Sequence, residues 1–434
     1  MVGGARAAAR CDVLGRAPYS EFEHGLYRGY LTPAHHTTLD LVGAWMVEAG
    51  MHVDLDPAAN LLGRYEGQNP GAPALVIGSH LDSVRDGGRY DGPLGVLLGI
   101  ECVAALNDQQ RRLPFAIEVY GFGDEEGSRF PAAMLTSRAV AGTLDGDLAR
   151  IADADGVSLA AALASFKTDY DVVTASTPTR RLDLKTFEAA RRSPGDIVGY
   201  LEAHIEQGPV LEAEGLALGI VTGIAAQLRY AVTLRGAAGH AGTSSMPLRR
   251  DALAGAAEMV LAVEQVARRD ASDLVATVGK FEAAPGAANV IAGEVRFSID
   301  IRAGEAARRD RAAKAIEEKL ELLASQRGLV LDLALVHDLP ASPCDAALMQ
   351  LLESAMAEAG QPLRRLVSGA GHDAMVMSAL CPAAMLFIRC KDGVSHNPAE
   401  HVEPGDADVA LEVMLGFIER LNRKVLGESL ADRT

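Results

Sequence analysis

The chain has 434 residues, about two or three domains' worth, and 49% of them are hydrophobic, so it can bury large cores. Its 41 basic and 58 acidic side chains leave a net charge of −17, which argues against nucleic acid or an anionic membrane surface as partner. A small anionic substrate stays compatible, because one or two arginines in a pocket reverse the local field. The five cysteines (Cys11, Cys102, Cys344, Cys381, Cys390) are odd in number and form no CxxC pair, so neither a disulfide framework nor a zinc knuckle is indicated and a reducing compartment is the simpler reading. The start, Met1-Val-Gly-Gly-Ala-Arg6, lacks the pattern of a signal peptide, and no apolar run is long enough to span a bilayer. The expectation is a soluble, cytoplasmic protein.

In chain order, Thr38 to Ala49 has helical periodicity, with Leu39, Leu41, Val42, Trp45 and Met46 on its apolar face. Ala74-Leu-Val-Ile77 reads as a short buried strand that delivers His80 at its end. Leu94 to Leu106 reads as a helix, and Phe115 to Tyr120 as a strand that delivers Glu125 and Glu126. Alternating strands and helices predict an α/β domain with a largely parallel sheet, whose ligands sit beyond the carboxyl ends of the strands. Leu148 to Ser193 is rich in Ala, Asp and Thr and reads as mostly helical, without evident chemistry.

The composition then changes. Strands over Leu228–Leu234, Leu274–Glu282, Glu294–Arg302 and Gly328–Val336, with helices over Ala252–Arg269 and Ala306–Gln326, give the order β-α-β-β-α-β of a ferredoxin-like unit. It is expected to form an inserted domain over residues 216–338, between two parts of one catalytic domain, residues 1–215 and 339–434. The catalytic domain resumes with a helix over Ala346–Ala359, the Gly369-Ala-Gly-His-Asp373 loop, a strand over Ala384–Ile388, the His396 loop and a terminal helix over Ala407–Arg423.

Five blocks set acid or imidazole side chains beside small or turn-forming residues: Gly78-Ser-His-Leu-Asp82, Tyr90-Asp-Gly-Pro93, Asp124-Glu-Glu-Gly127, His204-Ile-Glu-Gln-Gly208 and Ser395-His-Asn-Pro398. Small neighbours admit a metal close to the backbone, and turns at strand ends aim side chains into a cleft. His80 is expected on a metal, with Asp82 holding its other ring nitrogen. A carboxylate at Asp91, in a turn before a helix, can bridge two cations. Glu125 and Glu126 are adjacent, so one can bind while the other faces the water. His204 and His396 complete the set. Any single block reads more readily as a capped turn or a solvated carboxylate. Five of them, in a chain with only 11 histidines, point to a hydrolase that activates water between two metals.

On these blocks, together with Gly239-His-Ala-Gly-Thr243, Arg249-Arg-Asp251 and Ser368-Gly-Ala-Gly-His-Asp373, the chain resembles the dinuclear-metal amidohydrolases related to the M20 peptidases. These comprise allantoate amidohydrolases, N-carbamoyl-L-amino-acid hydrolases and β-ureidopropionases. The resemblance runs from about Tyr27 to Leu421. It implies a metallopeptidase-like α/β catalytic domain with a ferredoxin-like lid that also forms a homodimer, and two divalent cations per subunit, zinc or manganese. It places His80, Asp91 and His204 on one metal and Asp91, Glu126 and His396 on the other, with Asp91 bridging and Glu125 as general base. It gives His240 the tetrahedral oxyanion. Asn289 and Arg302 match substrate-holding positions, the planar fork of Arg302 suiting a carboxylate. Gln207 can hydrogen-bond a ureido amide, and the backbone at Gly369 and Ala370 can approach the substrate carboxylate. A turn histidine at 240, a surface Asp-Arg pair at 300 and 302, and a loop-filling Gln207 are the plainer alternatives.

The expected substrate is small, anionic and ureido. Gly223-Ile-Ala-Ala-Gln-Leu-Arg-Tyr230 and Phe387-Ile-Arg-Cys-Lys-Asp-Gly-Val-Ser-His396 are similar to the allantoate enzymes, which favours allantoate and a place in purine breakdown. An N-carbamoyl-L-amino acid, N-carbamoyl-β-alanine or ureidoglycolate follows, then an M20-type peptidase or acylase, then a metal-binding scaffold without catalysis. A nicotinamide dehydrogenase is disfavoured, because no strand-linked Gly-x-Gly-x-x-Gly is present.

Overall fold

The computed structural model describes residues 3–166, 182–270 and 272–427. The chain divides into two compact units. The first comprises Met1–Thr222, Cys344–Leu366 and His372–Thr434, and the second Gly223–Pro343 and Val367–Gly371.

The strands run in chain order β1 (His52–Leu55), β2 (Leu61–Tyr65), β3 (Ala74–His80), β4 (Ala116–Phe122), β5 (Ile197–Ile205), β6 (Leu218–Ile224), β7 (Ala226–Arg235), β8 (Gly239–His240), β9 (Val275–Thr277), β10 (Phe281–Ala284), β11 (Val290–Ile291), β12 (Glu294–Ala303), β13 (Val330–Leu339), β14 (Ser342–Pro343), β15 (Arg365–Ser368) and β16 (Ala383–Ile388).

In the first unit the sheet order is β1-β2-β4-β3-β5-β16-β6. The central strands β4, β3, β5 and β16 are mutually parallel. The flanking pairs, β1 on β2, β2 on β4 and β6 on β16, are antiparallel, so the sheet is mixed rather than largely parallel. Every residue of β3, β4 and β16 is buried, as befits strands covered on both faces. The Pro93–Asp108 helix packs on β3 and buries Leu94, Val96, Leu97, Leu98 and Ile100. Beyond the carboxyl ends of β3, β4, β5 and β16 lie the loops that carry the ligand-type blocks.

Some elements begin where local chemistry dictates rather than where apolar periodicity does. The helix expected from Thr38 starts at Pro33, because Thr32 caps it, accepting from the His35 N–H, and Pro33 presets the first turn. A Gly4–Leu14 helix precedes it that periodicity alone does not reveal. Of the stretch from Leu148 to Ser193, the described part holds short helices at Leu159–Ser165 and Leu184–Phe187, and residues 167–181 lie outside the described residues.

The second unit is a sheet in the order β10-β12-β7-β13, antiparallel throughout, with β9 also on β12. The strand expected over Leu274–Glu282 is split into β9 and β10. Lys280 interrupts it by exchanging bonds with Ser298: its N–H donates to the Ser298 hydroxyl and its carbonyl accepts the Ser298 N–H. The Ala252–Arg269 and Ala306–Gln326 helices pack on one face of the sheet, around Val232, Leu234, Met259, Phe297, Ile299, Ile301, Ile316 and Leu320. The unit begins at Gly223, inside β6, rather than at Leu216, because Leu218 to Val221 pair with β16 of the first unit's sheet. Among the described residues, no helix is long and apolar enough to cross a membrane.

Candidate metal centre

His80 is the last residue of β3, and Asp91 ends the loop that follows. Gly92 comes next with φ 84°, and a Cβ there would lie 2.5 Å from the His80 ring and 2.6 Å from its carbonyl. Only glycine lets the chain turn so close to the imidazole. His204 stands near the end of β5 and His396 in the loop after β16. Glu125 and Glu126 follow β4, where the Asp82 carboxylate accepts both of their backbone N–H groups, at 3.0 and 3.2 Å.

These side chains converge. His80, Asp91 and His204 each present a ligand-type atom within 4.8 Å of the others, and so do Asp91, Glu126 and His396. Asp91 is common to both groups. His204 Nε2 lies 3.1 Å from Asp91 Oδ1, and His396 Nε2 lies 3.1 Å from Asp91 Oδ2 and 3.4 Å from Glu126 Oε1. His80, Glu125 and Glu126 likewise bring ligand-type atoms within 4.8 Å of one another, as do Glu202, His204 and His372.

Backbone carbonyls orient two of the imidazoles. The Ile205 carbonyl is 2.9 Å from His204 Nδ1, and the Asp82 carbonyl is 3.1 Å from His80 Nδ1. Each acceptor assigns the ring proton to Nδ1 and turns Nε2 toward Asp91. The Asp82 carboxylate, expected on the other ring nitrogen of His80, lies 3.4 Å from Nδ1, and against burial its charge helps raise the imidazole. The same carboxylate accepts the Glu125 and Glu126 backbone N–H groups. It therefore steadies the imidazole, together with its own carbonyl, and shapes the loop of the two glutamates.

The electrostatics are those of a buried acid cluster among imidazoles. Burial alone would raise the Asp91 carboxyl, but contact with His204 and His396 outweighs it and holds the group well below its usual range. Burial raises Glu125 well above the usual carboxylate value, with His80 opposing and Glu126 adding to it. Glu126 is pushed up to about 7 by burial and by the Asp91 charge. His396 is raised to about 9, chiefly by Asp91. Imidazole nitrogens and carboxylate oxygens in two groups with a shared carboxylate form a donor set that fits a pair of divalent cations.

Gln207 falls in the same cluster, in the left-handed region at φ 56°. Its amide nitrogen donates to Asp91 Oδ1 and Oδ2, at 3.2 and 3.1 Å, and to Ser395 Oγ at 3.1 Å. His396 has φ 54°. Two left-handed residues in one site indicate loops held by their surroundings.

Several contributors escape sequence reading. Glu202 is fully buried and accepts from Ser79 Oγ at 2.8 Å, Tyr200 OH at 3.1 Å and the Ala374 N–H at 2.8 Å. It stands two residues before His204 on β5, and that period-two spacing was the available signal. His372, which the sequence suggests as an ordering residue of its loop rather than a metal ligand, is buried with its ring centroid 4.4 Å from that of His204, and burial together with His204 lowers its pKa. Glu400 anchors the Asp91 loop, accepting the Tyr90 and Asp91 N–H groups, and its only local signal is its place two residues after the Ser395-His-Asn-Pro398 block.

The remaining expected residues belong to the second unit. His240 on β8 pairs with Val290 on β11, and the Ala241 N–H donates to the Asn289 carbonyl at 3.0 Å, so His240 and Asn289 are neighbours. His240 Nδ1 accepts the Gly242 N–H at 3.0 Å, which places the proton of a neutral ring on Nε2 as a donor. Arg302 Nε and Nη2 bind Asp300 at 2.6 and 3.2 Å, and Nη1 donates to the Gly369 carbonyl at 2.5 Å. The Ala370 N–H donates to Ser368 Oγ at 3.2 Å, so this loop is closed on itself through the serine.

The profile of peptidase family M20/M25/M40 matches residues 76–420. An N-carbamoyl-L-amino acid amidohydrolase of Geobacillus stearothermophilus is 41% identical, over 97% of this chain and 99% of the relative. Allantoate deiminase 1 of Glycine max is 37% identical, over 96% of this chain and 89% of the relative. A crystal structure of an amidase of the hydantoinase/carbamoylase family from Burkholderia multivorans superposes with a TM-score of 0.85 at 33% identity, covering 96% of this chain and 98% of the other. With the profile spanning most of the sequence and relatives aligned over nearly their whole length, the protein belongs to peptidase family M20/M25/M40 and is a hydrolase of carbon–nitrogen bonds other than peptide bonds.

Proposed function

We propose that this enzyme removes the carbamoyl group of a ureido carboxylate, R–NH–CO–NH2, adding water across the C–N bond to give the amine, ammonia and carbon dioxide. The observation that carries the reading is one buried carboxylate, Asp91, common to two ligand groups, with the buried Glu125 beside them. We assign His80, Asp91 and His204 to one divalent cation and Asp91, Glu126 and His396 to the other. When bound, such a pair lowers the pKa of water and polarises the carbonyl under attack. Glu125, buried beside both ligand groups, takes the proton of the attacking water and delivers it to the leaving nitrogen. His204 and His80 stay fixed by their carbonyl partners while this happens. In the second unit, Arg302 is assigned to the substrate carboxylate, with Asn289, Gly369 and Ala370 beside it in this role. His240 Nε2 is assigned to the developing oxyanion and Gln207 to the ureido amide. The unit is read as a lid and dimerisation domain, so the working enzyme is a homodimer.

Allantoate is the leading substrate. On the sheet face that carries Arg302, Gln227 stands opposite Arg302 and Arg229 opposite Asp300, and Arg229 and Arg302 both bind the Asp300 carboxylate. Such a polar face favours a substrate with a second polar arm over one with an apolar side chain. An N-carbamoyl-L-amino acid is the second reading, favoured by the 41% identical bacterial relative. Ammonia release from allantoate, ureidoglycolate, N-carbamoyl-β-alanine and several N-carbamoyl-L-amino acids, with zinc or manganese added, separates them. The highest kcat/KM on an N-carbamoyl-L-amino acid would replace allantoate, and no release from any of the panel would end the ureido reading.

A further inference from the structure

Residues 81–90 join His80 to Asp91, two members of one ligand group. The N-terminal arm, residues 4–30, holds this link along its whole length. At the start, Arg28 Nε donates to the Leu81 carbonyl, the Arg28 N–H donates to Ser83 Oγ at 2.9 Å, and the Ser83 N–H returns to the Arg28 carbonyl at 3.0 Å. In the middle, Leu26 and Gly87 form an isolated antiparallel bridge, with the Gly87 N–H on the Leu26 carbonyl at 3.1 Å. At the end, the Tyr90 hydroxyl donates to Asp12 Oδ1 at 3.0 Å, and Arg89 Nη1 reaches the same oxygen at 3.1 Å.

One side chain connects these levels. Arg28 is fully buried, and its Nη1 donates to the carbonyls of Leu14 and Tyr19, both at 3.0 Å. A single guanidinium thus ties the last turn of the Gly4–Leu14 helix to the backbone between His80 and Asp82. Burial lowers its pKa to about 10, with the Asp82 charge opposing, so it is a cation at neutral pH. The helix is itself anchored at its far end. Arg6 binds the buried Glu101 at 2.7 Å, and Gly4 lies so close to the Pro404–Val425 helix that a Cβ would meet the Ala407 carbonyl oxygen at 1.9 Å.

We infer that the N-terminal arm is a clamp that presets the spacing of His80 and Asp91, with Arg28 as its pivot and positioning residue. This rests on reading His80 and Asp91 as metal ligands. Arg28 touches neither substrate nor metal; it acts through the Leu81 carbonyl. A lysine there keeps the charge but cannot reach Leu81, Leu14 and Tyr19 at once, because it lacks the planar fork.

The test uses the full chain loaded with zinc, and titrates the metal away with a chromophoric chelator. Tyr90→Phe and Ser83→Ala each delete one grip, and Arg28→Lys deletes the pivot. The chelator concentration that removes half the zinc should fall about ten- to a hundredfold in each. For the best ureido substrate, kcat should fall with KM within about twofold, and excess zinc should restore kcat in Tyr90→Phe. A merely structural arm would instead lower the melting temperature of the chelated protein while leaving the chelator curves in place. Wild-type curves for Tyr90→Phe and Ser83→Ala overturn the clamp, whether or not Arg28→Lys folds. If wild type turns over no ureido compound, the functional reading fails, yet the chelator curves still decide the clamp.

Discussion

Glu400 accepts the backbone N–H of Asp91 at 3.1 Å, across 309 residues of sequence. The same carboxylate takes the Tyr90 N–H at 2.8 Å and the Ser395 hydroxyl at 3.2 Å, and Ser395 Oγ also lies 3.1 Å from Asp91 Oδ2. The loop that carries His396 therefore also fixes the carboxylate shared by both ligand groups. Gly88 makes room for it, since a Cβ there would fall 2.0 Å from the Glu400 carboxyl carbon. Gly88→Ala should displace Glu400, costing about 1–3 kcal/mol of stability and weakening metal retention. Thermal unfolding and metal analysis after dialysis check this, and a variant indistinguishable from wild type in both would remove Glu400 from the support of Asp91.

Glu125→Gln should lower kcat by roughly a hundred- to ten-thousandfold, the range for a lost general base, while two metals per chain remain. Steady-state kinetics with elemental analysis of the purified protein provides the measurement. Loss of one metal would make Glu125 a ligand and reverse the division of labour with Glu126.

Arg302→Ala should raise KM by roughly ten- to a hundredfold, corresponding to a lost charged hydrogen bond, with kcat little changed. The departure of Arg302 also leaves Asp300 with Arg229 alone, which keeps that carboxylate paired. Wild-type KM would exclude Arg302 from substrate binding.

His240→Ala should lower kcat by about a hundred- to a thousandfold, as for removal of an oxyanion donor, with both metals retained. The ring is already oriented by the Gly242 N–H on Nδ1, so His240→Gln should recover part of the loss. An unchanged kcat in the alanine variant would count against the role.

The acid cluster predicts how metal uptake depends on pH. In the metal-free protein, His396 has a pKa raised to about 9, so its stabilising contribution is full below its unfolded value near 6.5 and is lost as pH rises through about 9. Glu126 is raised to about 7, so the folded state holds its proton longer than the unfolded state, and that stability is lost between about pH 4.5 and 7. Both slopes run the same way: these two groups together make the metal-free protein less stable as pH rises from about 5 to 9. Cations replace those protons, so loading at pH 7 should release at least about one proton per chain and flatten the profile. Calorimetry in buffers of different ionisation enthalpy gives the proton count, and a heat independent of buffer would contradict it.

Much of the centre was legible because its chemistry is local. A histidine or acid beside Gly, Ser or Pro at the end of an apolar strand announces itself within five residues, as at His80, Asp91 and Glu125–Glu126. The ferredoxin-like order of the second unit was equally legible, since alternation along β7 and β12 and helical periodicity over Ala252–Arg269 are short-range patterns. Arg28, Glu202 and Glu400 carry no such mark, because each gains its role from a partner dozens to hundreds of residues away.

The sequence by itself determined the residue types of the candidate centre and the β-α-β-β-α-β order of the second unit, because side-chain chemistry and periodicity are properties of neighbouring residues. Only the tertiary structure decided that Glu400 anchors the Asp91 backbone, that the Asp82 carboxylate joins the glutamate loop to the His80 ring, and that β1, β2 and β6 pair antiparallel in the first sheet. Those are distances and directions between segments remote in the chain, and packing a buried carboxylate against its partners is what sets them.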